Sequence, residues 1–320
     1  MGRYDPSSRK GIALLLTLLV ITIMILTIGQ ISYSTKVEVQ IANNFREDLQ
    51  NLKAAQSGVY LGIAFLQLDA KKKGEEGYHS LQDGWANGIE PQTLGKSTLT
   101  VTLKDEERKF NILQLIRGSE SDQKETKAIF MRYILELFQD ERYDAEGLAN
   151  TLISWMKNEI EERKGRSLVE PLYSLQEFKL IPEFLTTYFP EEALYNFSTL
   201  TDAITFLSSG KINVNTASAE LLISLHEKIP EEFIALILQR RTEEEGYFKS
   251  IQELQDTLDL EKDSEEEKIF NDLKKYLVVK SDFFSSEIQA STSGLSRSYR
   301  AYYSHSNKDT NLIHWEQSSK

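Results

Sequence analysis

Apolar residues fill the chain from Ile12 to Ile28 except at Thr17, Thr22 and Thr27, and no charge occurs between Ile12 and Thr35. As a helix rising about 1.5 Å per residue this charge-free segment reaches about 36 Å, beyond the roughly 30 Å of a bilayer's hydrocarbon core. The apolar positions then thin to a stripe at Ile41, Phe45, Leu49, Leu52, Ala55, Val59, Ile63 and Leu66. These steps of three and four residues are those of an amphipathic helix. One long helix is therefore predicted over roughly Ile12–Leu68, with an apolar half for lipid or helix bundling and a half that packs on a folded head. Gly58 and Gly62 lie within the stripe, where the absence of a side chain allows close approach of a sheet.

Beyond this helix the pattern changes twice. Lys71 to Gly95, with the run KKKGEEG, reads as a loop, and the segment after it, STLTVTLKDEERKFNIL, reads as a hairpin with strands near Ser97–Leu103 and Lys109–Leu113. From about Lys124 to Leu277 the spacing is helical, as in AIFMRYILELF, GLANTLISWM and AELLISL, with breaks at KGRS, Pro171, Pro190 and SSG. From Asp282 the chain returns to strand-like alternation in FFSSEIQAS, LSRSYRAYYSH and LIHW. A helical block between two β blocks predicts an α+β fold: a long N-terminal helix packed on an antiparallel sheet, with a large inserted α-helical domain. The expected divisions are 1–11, a leader; 12–35, the membrane-spanning part of the helix; 36–116, the amphipathic helix and first part of the head; 117–280, the insert; and 281–320, strands that complete the head.

Composition narrows the chemistry. With no cysteine there is no disulfide framework and no thiolate metal site, and the four histidines, His79, His226, His305 and His314, form no closely spaced ligand pair. A net charge of −12 makes the body a poor partner for phosphate backbones. Neither a phosphate-binding loop, an EF-hand nor a nucleophile elbow occurs, so nothing in the sequence supports an enzyme.

Arg3, Arg9 and Lys10 stand immediately before the apolar run, which places the N-terminus in the cytoplasm and everything after Lys36 on the other side of the membrane. A secretory signal would end its apolar region in small residues, whereas this run ends IGQISYS and continues as helix. Gly11 precedes the run, in RKG followed by IALLLTLLV, so cleavage after it would remove the basic leader and keep the span.

Basic leader, glycine, apolar helix running into an amphipathic one and a β-rich head together resemble the type IV pilins and pseudopilins. The inserted helical block, the segment KINVNTASAELLISL at Lys211–Leu225 and the terminal IHWE resemble the type II secretion system protein K family, the K-type minor pseudopilins. The resemblance covers nearly the whole chain. It implies cleavage between Gly11 and Ile12 by a prepilin peptidase, N-methylation of Ile12, and a pilin-like fold. It also implies I-type and J-type minor pseudopilins and the H-type pseudopilin as partners, and residence in the bacterial inner membrane with the head in the periplasm. The fifth residue after the cleavage point, usually Glu in pilins, is Leu16, a departure that itself resembles the K type. An unpaired carboxylate in lipid costs at least ~2.5 kcal/mol, and a subunit at the very tip has no neighbour above to pair with it. Leu16, Ile41 and Phe45 are the candidates for packing against partner helices.

Two segments invite other readings. In NVNTAS, Ser218 is placed to cap the following helix, with Asn213, Asn215 and Thr216 able to bond the local backbone. The same pattern occurs in helix-hairpin-helix proteins, so a membrane-anchored DNA receptor for uptake is an alternative, as is a type IV pilus minor pilin. The hairpin turn LHEKIPEE, however, has no glycine and carries Glu231 and Glu232, so nucleic acid is not expected as a partner. Members of the resembled family bind calcium after a D-W-L-D-like helix end. Here the matching SWMKNEIEERKGRS leaves Asn158 and Glu159 as candidate ligands, with Ser154 and Lys157 where acids are expected.

Overall fold

The structure, a computed structural model, describes residues 6–73, 77–140, 142–162, 171–190, 192–306 and 309–318, with side chains from Gly11 onward. Its first element is a continuous helix, α1 (Pro6–Lys73), ending in Lys71, Lys72 and Lys73, cations suited to the negative end of a helix. The hydroxyls of Thr17, Thr22 and Thr27 each donate to a backbone carbonyl three or four residues earlier, so no side-chain donor is left unsatisfied between Ile12 and Ile28.

The head is a five-stranded antiparallel sheet, β1 (Ile89–Leu94), β2 (Ser97–Asp105), β7 (Phe283–Ser291), β8 (Ser296–His305) and β9 (Thr310–Ser318), in the order β1-β2-β7-β8-β9. One face of β2 alternates into the core at Leu99, Val101 and Leu103, joined by Phe284, Ile288, Ala301 and Tyr303, and α1 packs there through Ala54, Ala55, Val59 and Leu66. Both glycines sit at the closest approach. A Cβ on Gly58 would lie 2.8 Å from a methyl of Ile288, and one on Gly62 would lie 2.8 Å from the hydroxyl of Tyr303.

Two sequence expectations are corrected. Strand β2 pairs with β1 and β7, not with Lys109–Leu113. That segment instead forms a two-residue strand, β3 (Phe110–Asn111), and a 3-10 turn at Ile112–Leu115 opened by the Asn111 side chain. Its side chains are all apolar or buried, so they enter the insert's core and leave no solvent face for a hairpin. The stretch taken as loop contains the end of α1 and the edge strand β1, whose Pro91 lacks the N–H of an interior strand and disguised it.

Between β2 and β7 lies the helical block: α2 (Glu120–Phe138), α3 (Ala145–Glu162), a 3-10 turn at Leu175–Leu180, α4 (Phe184–Tyr188), α5 (Ala193–Ala203), α6 (Ala219–Ser224), α7 (Glu231–Thr242), α8 (Ile251–Leu258) and α9 (Glu265–Lys274). Short parallel pairs brace it, β3 with β4 (Ile204–Thr205) and β5 (Ile212–Asn213) with β6 (Leu277–Val278). Serines 119, 218, 250 and 264 each cap the helix they precede. The block has its own core, in which Phe130, Leu148, Leu152, Phe178, Phe197 and Leu221 are fully or almost fully buried. Because β2 and β7 are antiparallel neighbours, with Asp105 opposite Phe284, the chain leaves the head and returns to it at one point.

Candidate functional site: leader junction, assembly helix and the insert's joint

Gly11 and Ile12 lie within the first turns of α1, exposed, and nothing approaches within 4 Å of where a Gly11 side chain would be. Leu16, Ile41 and Phe45 are 56%, 62% and 64% exposed. The first belongs to the apolar span, while Ile41 and Phe45 continue the sheet-facing stripe below the point where the head begins to cover the helix. Their exposure leaves an apolar ridge without a partner in this chain.

The register between helix and sheet fixes where the insert stands. Asn51 is bonded to Ser97 at the start of β2, Gly58 faces Leu99 and Val101, and Gly62 faces Leu103. Strand β2 thus climbs α1 away from the span, and its last residue, Asp105, is at the membrane-distal end. The insert departs from there.

That departure point is a buried polar joint. Asp105 is fully buried, and its carboxylate accepts from Thr216 Oγ1 (2.6 Å), Ser281 Oγ (2.7 Å), Asn213 Nδ2 (3.0 Å) and the Glu107 amide (2.8 Å). Asn213 Nδ2 also donates to the His79 carbonyl and to Ser281 Oγ, while its Oδ1 accepts from the Asn215 amide. Asn215 pins the loop after α7 by exchanging bonds with the Phe248 backbone (2.8 and 2.9 Å). Ser218 caps α6 through the Leu221 amide, as its position predicts. Asn213 and Thr216 bond the local backbone, through the Asn215 amide and the Asn213 carbonyl, and beyond that both reach Asp105 of strand β2, so NVNTAS is the fastening between insert and head.

The strap of residues 78–88 closes the joint from the head's side. His79 Nδ1 accepts from the Ser281 amide (2.9 Å), Gln82 Nε2 donates to the carbonyls of Arg241 and Glu243, and the rings of Tyr78 and Tyr247 stack at 4.3 Å. Burial pushes the Asp105 carboxyl up against the lowering pull of its donors, and pushes Glu107 up to about 7, with Asp105 and Asp282 adding repulsion. Burial also holds His79 well below the ordinary histidine value, and His305, whose ring lies 5.3 Å away, at about 4. Both imidazoles are therefore neutral parts of the core.

Neither side reading gains a site. The helical hairpin presents Glu231 and Glu232 in the first turn of α7, where a phosphate would have to sit, and Arg241 is spent on the carbonyls of Ala217 and Val214. Asn158 is exposed on the last turns of α3 beside Glu159, and the following residues 163–170 lie outside the described ones. Among the described residues no group of three acidic or histidine side chains converges as a metal would require.

Comparison with known proteins agrees with this architecture. The family model for type II secretion system (T2SS), protein K, matches residues 212–280, from β5 through the fastening motif to the chain's return at the joint. No curated protein matches the chain. A chain of the crystal structure of the GspK-GspI-GspJ complex from the enterotoxigenic Escherichia coli type 2 secretion system superposes with a TM-score of 0.66 at 18% identity. The match covers 87% of this chain and 99% of that one, so the likeness of fold includes head and insert alike. The match to the family's model thus lies in the insert, while the likeness of fold extends across insert and head.

Proposed function

We propose that this protein is a minor pseudopilin that caps the membrane-distal end of a type II secretion pseudopilus, and that its insert is the capping device. The observation that carries this reading is the position of the insert. It leaves the head at Asp105, the end of the sheet farthest from the membrane span, and brings about one ordinary domain's worth of extra chain with its own core. In a helical stack each head supports the next one above, so a head occupied there ends the stack. Leu16 in place of the usual carboxylate accords with a subunit that has no neighbour above it.

In this reading a prepilin peptidase cleaves Gly11–Ile12, Ile12 becomes the methylated N-terminus, and the single apolar helix holds the subunit in the inner membrane with its head in the periplasm. I-type and J-type minor pseudopilins are the partners that complete the tip, by likeness to the complex named above, and the H-type pseudopilin joins the tip to the shaft. The exposed ridge at Ile41 and Phe45 is where helices of the tip bundle pack. Co-expression of the full chain with I-type and J-type subunits in membranes, followed by affinity purification and native mass spectrometry, tests the proposal. One copy of this chain per assembly, at a terminal position, is expected. Multiple copies in series along a filament would overturn capping.

A further inference from the structure

The insert holds a cavity of about 560 Å³ where the end of α2, the turn into α3 and the end of α4 meet. Its wall is aromatic. The rings of Phe138 and Tyr143 stack with centres 4.9 Å apart, and Phe189, 1% exposed, lies against them at 5.9 and 6.4 Å. Tyr188 is held in place by a 2.6 Å hydrogen bond between its hydroxyl and Thr151 Oγ1. A preformed apolar wall with a few polar groups around it is the make-up of a site for a small ligand or a single side chain. Among the described residues no cation lies over any of these four rings.

Three polar features set the chemistry of the ligand. The Tyr143 hydroxyl is buried with no hydrogen-bond partner, and burial pushes its pKa up, so it stands as a neutral group able to accept an N–H. Asp140 and Asp144 each spend Oδ1 on their own loop, accepting from the amides of Arg142 (2.9 Å) and Gly147 (2.8 Å), and among the described residues each keeps Oδ2 free. The two stretches of sequence that line the cavity, 138–144 and 187–196, hold five acids against one cation, Arg142. That arginine meets Asp140 at 3.4 Å with its side chain 93% exposed, an ion pair in water that contributes little. An anion is repelled here and a cation drawn in. A quaternary ammonium suits the rings but brings no N–H for the hydroxyl and the two carboxylate oxygens. A guanidinium brings both a flat face and five donors in its plane.

We propose that this cavity is a binding site for an arginine side chain carried by a segment of another protein. The guanidinium rests its plane on the aromatic wall and donates to the Tyr143 hydroxyl and to Oδ2 of Asp140 and Asp144. The site lies on the insert, apart from α1, and stands whether or not the chain is a pseudopilin.

Ligand-observed NMR titration of the full chain in detergent tests it, with a short Gly-Ser peptide carrying a single arginine and two otherwise identical peptides carrying citrulline or lysine in its place. Citrulline keeps the shape and removes the charge. The arginine peptide is expected to bind about tenfold more tightly than the citrulline peptide and several-fold more tightly than the lysine peptide. Y143F is expected to weaken arginine binding about fivefold while keeping or raising the melting temperature, because it removes a hydroxyl that is unpaired in the free protein. D140N/D144N keeps the loop bonds, since an amide oxygen accepts as a carboxylate does, and is expected to abolish the preference for arginine over citrulline. E231Q/E232Q, on α7, is expected to leave that preference intact. Equal affinity for arginine and either substitute, undiminished affinity in Y143F, or an equal loss in E231Q/E232Q would each overturn the site, the last by reducing it to diffuse attraction toward an acidic protein.

Discussion

Glu107 shows how finely the joint is balanced at the level of single residues. Its carboxylate is almost wholly buried, accepts from the backbone amides of Ser209 (3.4 Å) and Asp282 (3.2 Å) with further help from the Ser209 side chain, and faces the carboxylates of Asp105 and Asp282. A carboxyl raised to about 7 in the fold, from 4.5 when unfolded, contributes stability that is full below pH 4.5 and is lost as pH rises through 7. The buried neutral imidazoles of His79 and His305 work in the opposite sense. Their contribution is complete above about 6.5 and is lost as pH falls below it. Chemical denaturation across pH 5–8 should therefore show maximal stability near pH 6.5. The E107Q variant should escape the alkaline loss, gaining on wild type by on the order of 2 kcal/mol between pH 5 and 8. A pH-independent difference between the two would refute this role for Glu107. Removing the Asp105 carboxylate takes away the acceptor shared by three side-chain donors and one amide, and leaves Ser281 Oγ and the buried Glu107 amide with none, so D105A should cost about 3–5 kcal/mol by the same assay. None of this was legible beforehand, because KDEERKF reads as a charged turn. The groups that bury and satisfy it come from residues 79, 213, 216 and 281, distances along the chain that no local pattern encodes.

Among the elements, α1 was the most legible. Its hydrophobic stripe, its charge-free run from Ile12 to Thr35 and its two glycines are local signals, and the glycines and the later part of the stripe meet the sheet. Gly58 also yields a decisive test because two effects oppose. Alanine is favoured over glycine in a helix by about 1 kcal/mol, whereas a methyl 2.8 Å from Ile288, which is 1% exposed and locked in β7, overpacks the core by about 1–3 kcal/mol. Overpacking should win. G58A is expected to lower the melting temperature, and pairing it with I288A should cost less than the sum of the single changes, a coupling that a double-mutant cycle measures. Strictly additive effects would mean that helix and sheet do not meet there. The short elements were illegible for a different reason. β3, β4, β5 and β6 are two residues long and pair in parallel across the insert, so no alternation marks them.

On the scale of the whole molecule, the arrangement is a head that folds around one helix and an insert that enters and leaves between two adjacent strands. The sequence announced the insert through the change from strand-like to helical spacing and back, but not its place at the membrane-distal end, which follows from the register of β2 along α1. Replacing residues 107–282 by an Asn-Gly turn joins Glu106 to Phe283, which already face each other on neighbouring antiparallel strands, a connection such a turn makes readily, and leaves Leu99, Val101, Phe284 and Ile288 in the head's core. The shortened protein should still co-purify with I-type and J-type subunits from membranes yet fail to support secretion. Normal secretion by this variant would remove the insert from the mechanism.

All of this rests on the chain being processed as a pseudopilin at the boundary between its basic leader and its apolar helix. Mass spectrometry of the N-terminus of the protein purified from membranes, with and without prepilin peptidase, addresses that boundary directly. The account predicts a chain beginning at a methylated Ile12 only when the peptidase is present. Retention of Met1 to Gly11 in both samples would contradict it and leave an ordinary anchored protein in place of a pilus subunit.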